Sequence, residues 1–266
     1  IQFPGSHKFW QLCNLIHQSN WTFANNNPVL PFNNFWDFSQ LLKALVPMNL
    51  ATGLLLKSTI FDLLRICGLS NDERLINFLN LQLKLYSQED VYKTAALYGS
   101  TVLQMCQYPH GLWHLKKSMQ TLSDALEDSL KKTGGNIIFG QKVNSLNFVE
   151  KKSWKVCASS KLKKFDYYAD DVIYTPPPQS LLKHLEASLD INHNYKNRIK
   201  LLPQPSGALV FYSALKKDHI RSISSNHYQF VSKELGSLFV SISEDGDGRA
   251  PKGEVTLIAS LFTKTN

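Results

Sequence analysis

The sequence is poor in the residues that staple, span or catalyse. Its 266 residues include four cysteines, and these, Cys13, Cys67, Cys106 and Cys157, stand far apart with no CxxC pair. That spacing argues against a disulfide scaffold and a zinc finger and fits thiols kept reduced in the cytoplasm. The sequon Asn20-Trp21-Thr22 is outweighed by this cysteine usage, which argues against secretion. No uninterrupted apolar run reaches the roughly 18 residues of a spanning helix. The opening IQFPGSHKFW has neither an initiator Met nor a basic start followed by an apolar run, so it is no signal peptide and reads as cut from a longer chain. GxSxG, HExxH and GxxxxGK[ST] are all missing, leaving no nucleophile elbow, zinc-protease helix or phosphate loop. His110 and His114 are the one histidine pair four apart, and Gly111 between them argues against the regular helix that would aim both at a metal. The acidic run Glu244, Asp245, Asp247 lacks the closing Glu of a calcium loop and reads as a polar turn. No metal site is expected.

Acid is the scarcer charge: 29 Lys and Arg stand against 21 Asp and Glu, a net charge of +8. Such a balance suits nucleic acid or an anionic membrane surface. The lysines are scattered, however, and the densest cluster, Lys161, Lys163 and Lys164, interleaves with Leu162 and Phe165 as the solvated face of a strand or hairpin does. The aromatics sit in apolar runs and not among these lysines, so stacking platforms for single strands are not evident and no nucleic-acid partner is expected. With 43% hydrophobic and 19% charged residues, the chain is globular and long enough for one large domain or two moderate ones.

The first 110 residues read as helical and apolar. After the turn-rich NNNPVLPFNN, Ser39 is placed to cap a helix carrying Leu41, Leu42 and Leu45, with Pro47 ending it or opening the next. A further apolar surface runs from Leu54 to Leu64 and stops at Gly68. Asp72 is placed to cap a helix with Leu75, Ile76, Leu79 and Leu83, which reads first as ordinary core. Ser118 precedes the stripe Met119, Leu122, Leu126, Leu130, and Lys131, Lys132 and Gly134 punctuate the helix end. Strands are then expected at Asn136–Gly140, around Val143 to Phe148, at Trp154–Ala158, and in a hairpin arm feeding a buried strand Val172–Thr175 that the prolines 176–178 stop. A helix over Gln179–Leu189 precedes four strand-like runs, GALVFYSAL, HYQFVS, SLFVSIS and EVTLIASLF. Strands in succession without long helices between them predict an α+β fold with a mixed, largely antiparallel sheet flanked by helices.

From Leu97 to Leu146 the run LYGSTVLQMCQYPHGLWHLKKSMQTLSDALEDSLKKTGGNIIFGQKVNSL resembles the phytoene desaturase-like, FAD-dependent carotenoid oxidoreductases of the amine-oxidase fold. There a loop leads to a helix, then GG, a strand and a V-x-x-L/I pair. DDVIYTPPP and DGDGRAPKGEVTLIASLF extend the resemblance, and NFLNLQLKLYSQ and SMQTLSDAL look closest to carotenoid 3',4'-desaturases and the related carotenoid isomerases. One departure stands out: Lys117-Ser118 occupies the place of a Gly pair.

This resemblance implies a division into residues 1–115 as the helical, apolar part of a substrate domain, 116–178 as a partial FAD-domain segment, and 179–266 as the antiparallel sheet of the substrate domain. It implies that Val143 holds the adenine end of FAD through its backbone and that Thr175 and Pro176 run beside the dinucleotide. Catalytic and substrate-binding residues remain unassigned. A Rossmann-type site needs GxGxxG between strand and helix, and these residues contain none, so the expectation is an internal segment, inactive alone. Its function is expected to be desaturation of a carotenoid by hydride transfer to flavin, with flavin-dependent cis-trans isomerisation or non-catalytic carotenoid or lipid binding as alternatives. The implied partner is a long apolar substrate, and the implied place is the cytoplasm, with contact at a membrane surface through Phe35, Trp36 and Phe38 left open.

Overall fold

The structure, a computed structural model, describes residues 3–107, 111, 115–149, 153–185, 191–220, 225–232 and 236–263. His110 and His114 lie outside the described residues. The fold is α+β, with helices and largely antiparallel sheets, and the chain divides into two compact units.

The first unit is built from residues up to Lys116 and from Leu209 to Phe262. Its core is helical: α1 (His7–Asn25), α4 (Ile60–Ile66), α5 (Glu73–Tyr86) and α6 (Ala96–Met105) enclose Phe9, Cys13, Ile16, Leu63, Leu79 and Leu83, all fully buried. Side chains of this size stabilise by about 1.5–3 kcal/mol each when removed from water. Caps fix where the helices begin. Thr59 accepts from the Asp62 amide and Asp62 accepts from the Thr59 amide, and Asp72 accepts from Leu75 N at 3.0 Å, as its position before the apolar stripe predicts. Gly99 lets α6 cross α4 closely, because a Cβ there would stand 2.5 Å from Ile60 Cγ1.

Helices α2 (Phe35–Ala44) and α3 (Pro47–Gly53) pack on α1. The cap of α2 is Asn34, not Ser39: Asn34 Oδ1 accepts from Asp37 N at 2.9 Å, while the Ser39 hydroxyl turns back to the Trp36 carbonyl inside the helix. Pro47 opens α3 at its first position, where a missing N–H costs nothing. The same unit carries a sheet of order β4-β7-β6-β5 from β4 (Gly207–Lys216), β5 (His227–Ser232), β6 (Gly236–Ile242) and β7 (Glu254–Thr263), antiparallel from β5 through β6 to β7. Gln229 of β5 ties the sheet to α5, donating to the Leu81 carbonyl at 2.9 Å and accepting from Gln82 at 2.8 Å.

The second unit spans Lys117–Ala208. It holds α7 (Gln120–Lys132), the antiparallel sheet β1-β2-β3 from β1 (Lys142–Val149), β2 (Ser153–Ser159) and β3 (Lys164–Ala169), then α8 (Pro178–His184) and α9 (His193–Lys200). Two expected strands are not strands. Asn136–Gly140 and Val172–Thr175 have no ladder partner among the described residues, and a strand without a neighbour cannot pair its backbone N–H and C=O groups. Their apolar side chains face water: Phe139 is 75% and Ile173 91% exposed. The α7 stripe also stands open, with Met119, Leu122, Leu126 and Leu130 exposed and no residue of α7 buried.

Candidate functional site

Val143 is the second residue of β1, an edge strand of its sheet. It faces Ala158, and the register slips between Val143 and Ser145, so Asn144 is the extra residue of a bulge. Asn144 Nδ2 donates to Ser159 Oγ at 2.8 Å, which fixes the bulge to β2. Just upstream, Gly140 turns the chain at φ +72°, a conformation open to glycine without steric cost. Tyr167 of β3 pins this turn by donating to Gln141 at 2.8 Å. Between the turn and the end of β2 lies an open cleft of about 470 Å³ lined by Gly140, Gln141, Lys142, Ser159, Ser160 and Lys161. Two lysines, two serines and no carboxylate line it, and the surface it presents is mostly apolar.

Thr175 and Pro176 are exposed at the end of the extended stretch from Asp171. Tyr174 anchors this stretch to α8, its hydroxyl within 2.8 Å of both Ser180 Oγ and His184 Nδ1. Beyond α8, Leu185 bridges Leu146 of β1 in parallel. The strand carrying Val143 and the turn carrying Thr175 and Pro176 are thus joined through α8, although no hydrogen bond links Val143 to either residue among the described residues.

In the first unit, Asn20, Trp21, Ala24, Tyr98 and Thr101 line a mostly apolar cleft of about 290 Å³ between α1 and α6. Asn20 closes its floor by donating to the Leu97 carbonyl at 2.9 Å and to Thr101 Oγ1 at 2.8 Å. The sequence reading missed it: Asn20 and Trp21 carry a sequon pattern, and nothing in the linear order pairs them with Tyr98, far along the chain.

The acidic run of the β6–β7 connection is a hydrogen-bonded turn. Asp245 accepts from Gly253 N and Lys217 Nζ, which hold its carboxyl below the usual carboxylate range. Burial pushes Asp247 up, but the Arg249 side chain and amide reverse this and leave it below its ordinary value.

From residue 7 to residue 265 the sequence matches the flavin-containing amine oxidoreductase family. The chain belongs to that family. No curated protein matches it significantly.

Membership implies a flavin cofactor, and the residues present fit part of one. An edge strand leaves backbone N–H and C=O groups free for a ligand, and Val143 sits on one beside the cleft flanked by Lys142 and Lys161. Upstream of α7, Lys117 adopts φ +74°, a left-handed backbone that costs a residue with a side chain about 1–2 kcal/mol.

Proposed function

We propose that this chain is the central, substrate-binding portion of an FAD-dependent oxidoreductase that desaturates a carotenoid. The observation that carries the reading is the uncovered apolar surface of the second unit. Met119, Leu126, Phe139 and Ile173 are each more than half exposed, in the unit that also holds Val143, Thr175 and Pro176, and a nucleotide-binding remainder would cover them. In this reading Val143 holds the adenine end of FAD through its backbone N–H and C=O, and Thr175 and Pro176 run beside the dinucleotide. When bound, the flavin supplies the hydride acceptor. The chain's own share is to bind a long apolar polyene and keep water from it, which the cleft at Trp21 and Tyr98 and the apolar helices of the first unit suit. The segment alone is inactive, because its residues include no glycine-rich loop to receive the pyrophosphate. It works in the cytoplasm, peripheral to a membrane.

Turnover by the complete native reading frame and by these 266 residues alone, supplied with FAD and carotenoid, tests this. Only the complete chain should yield a product lighter by a pair of hydrogens with its absorbance moved to longer wavelength. A product of unchanged mass assigns the isomerase activity instead, and turnover by the segment alone refutes the division of labour.

A further inference from the structure

Helices α2 and α3 bury polar residues and expose apolar ones. On α2, Phe35, Phe38 and Leu42 share one face at helical spacing, with Phe35 84% exposed, while the buried side holds Asp37 and Ala44. On α3 the buried residue is Asn49, while Leu50 and, one turn on, Leu54 are 61% and 86% exposed. The buried polar atoms are satisfied. Asp37 accepts from Asn33 N at 2.9 Å, and Asn49 donates to the Ser19 carbonyl and hydroxyl at 2.7 and 2.9 Å. Asn49 thereby holds α3 to the C-terminal half of α1, whereas the Asp37 bond closes the turn before α2, and Asn26, just past the end of α1, donates to the Ala44 carbonyl at 3.5 Å at the end of α2. The apolar stripes of both helices are free for another medium, and an apolar surface of this kind marks a contact site.

Charge identifies the medium. Between Phe3 and Phe61 the only carboxylate is Asp37, and it is buried. The exposed charges of this stretch beside the apolar stripes are Lys43 and Lys57. An acid-free, aromatic-bearing surface with lysines at its margin complements anionic headgroups over an acyl layer. No described helix is long and apolar enough to cross a membrane, so the contact is in-plane.

We propose that α2, α3 and the turn Leu54–Lys57 form a docking surface for an anionic bilayer. Phe35, Leu42, Leu50 and Leu54 enter the boundary between headgroups and acyl chains, and Lys43 and Lys57 meet lipid phosphates. This rests on the membrane-peripheral part of the proposed function and not on its flavin chemistry.

Flotation of the full native chain with vesicles of phosphatidylglycerol and phosphatidylcholine in equal parts, against pure phosphatidylcholine, is the test. The wild type should float with the mixed vesicles. F35S/L54S should lose about tenfold or more in partitioning to either vesicle. K43Q/K57Q should lose about tenfold on the mixed vesicles and nothing on phosphatidylcholine. All these side chains are exposed, so circular dichroism should be unchanged. Absence of flotation, or equal flotation of F35S/L54S, overturns the proposal. So does a self-associated wild type that F35S/L54S dissociates in sedimentation velocity without any vesicle binding, which would give the face to a second copy. Flotation is read on yellow and colourless protein alike, so its failure is distinct from failure of the oxidoreductase reading.

Discussion

Replacing Asn49 by Ala should cost the first unit more stability than replacing the leucine next to it. Asn49 makes three hydrogen bonds: to the Ser19 carbonyl at 2.7 Å, to the Ser19 hydroxyl at 2.9 Å, and from Val46 N at 3.2 Å. Ser19 is fully buried, so water does not replace the lost donor. At about 1 kcal/mol per bond, less up to about 0.7 kcal/mol for the better helix propensity of Ala, the net loss is about 2–3 kcal/mol. Leu50 is 61% exposed, so truncating it gives up about a third of its burial value, about 1 kcal/mol or less. Thermal and urea unfolding followed by circular dichroism in detergent-free buffer reads the difference. N49A should lower the midpoint by about 5–10 °C and L50A by about 3 °C or less. An N49A protein as stable as wild type, or an L50A protein that is the worse of the pair, would refute the view that polar contacts hold α3 to α1.

Gly99→Ala should destabilise by about 1–3 kcal/mol in the same assay, since its Cβ would meet the fully buried Ile60; an unchanged urea midpoint contradicts the close crossing. Lys117→Gly should leave stability unchanged or raise it by up to about 1 kcal/mol, because relief at φ +74° opposes the added freedom of the unfolded chain; a clear loss would show that the lysine side chain is needed. The Thr59 amide and hydroxyl hold the Asp62 carboxyl below its ordinary value. A lowered folded value makes this contribution full above the ordinary carboxylate range and lost as pH falls through it, so Asp62→Asn should lose most at neutral pH and least in acid, as urea titrations at several pH values would record. Burial pushes the Cys13 thiol up to about 12, so in native protein at mildly alkaline pH Cys13 should be alkylated last among the cysteines, as peptide mapping would show, and early modification would deny its burial.

The strands β5, β6 and β7 were legible because short apolar runs rich in Val, Ile and Phe end there at Gly, Pro and polar turns. The start of α5 was legible because a run of good caps, Ser70, Asn71 and Asp72, stands directly before its stripe, and Asp72 is the last of them. Periodicity reports that a face is apolar, not what covers it. That is why Leu42 and the α7 stripe, alike in pattern to the core leucines of α5, lie exposed. It is also why Asn136–Gly140 and Val172–Thr175 looked like strands: their composition fits one, but a strand exists only where a neighbour completes its ladder. The cap of α2 went to Ser39 in the sequence reading because Asn34 is one of several asparagines in a turn-rich stretch, and only the bond to Asp37 N singles it out. Of the candidate site, the positions of Val143 and the Thr175-Pro176 turn came from resemblance alone. The bulge at Asn144, the Tyr174 anchor and the Trp21–Tyr98 cleft depend on contacts between distant residues that no local pattern encodes.

The most direct test of the flavoprotein reading is the visible absorbance of the protein expressed from its complete native reading frame and purified without added cofactor. The account predicts a yellow protein with about one flavin per chain, held once the nucleotide-binding remainder is present. A colourless protein that stays colourless after FAD is added would contradict it.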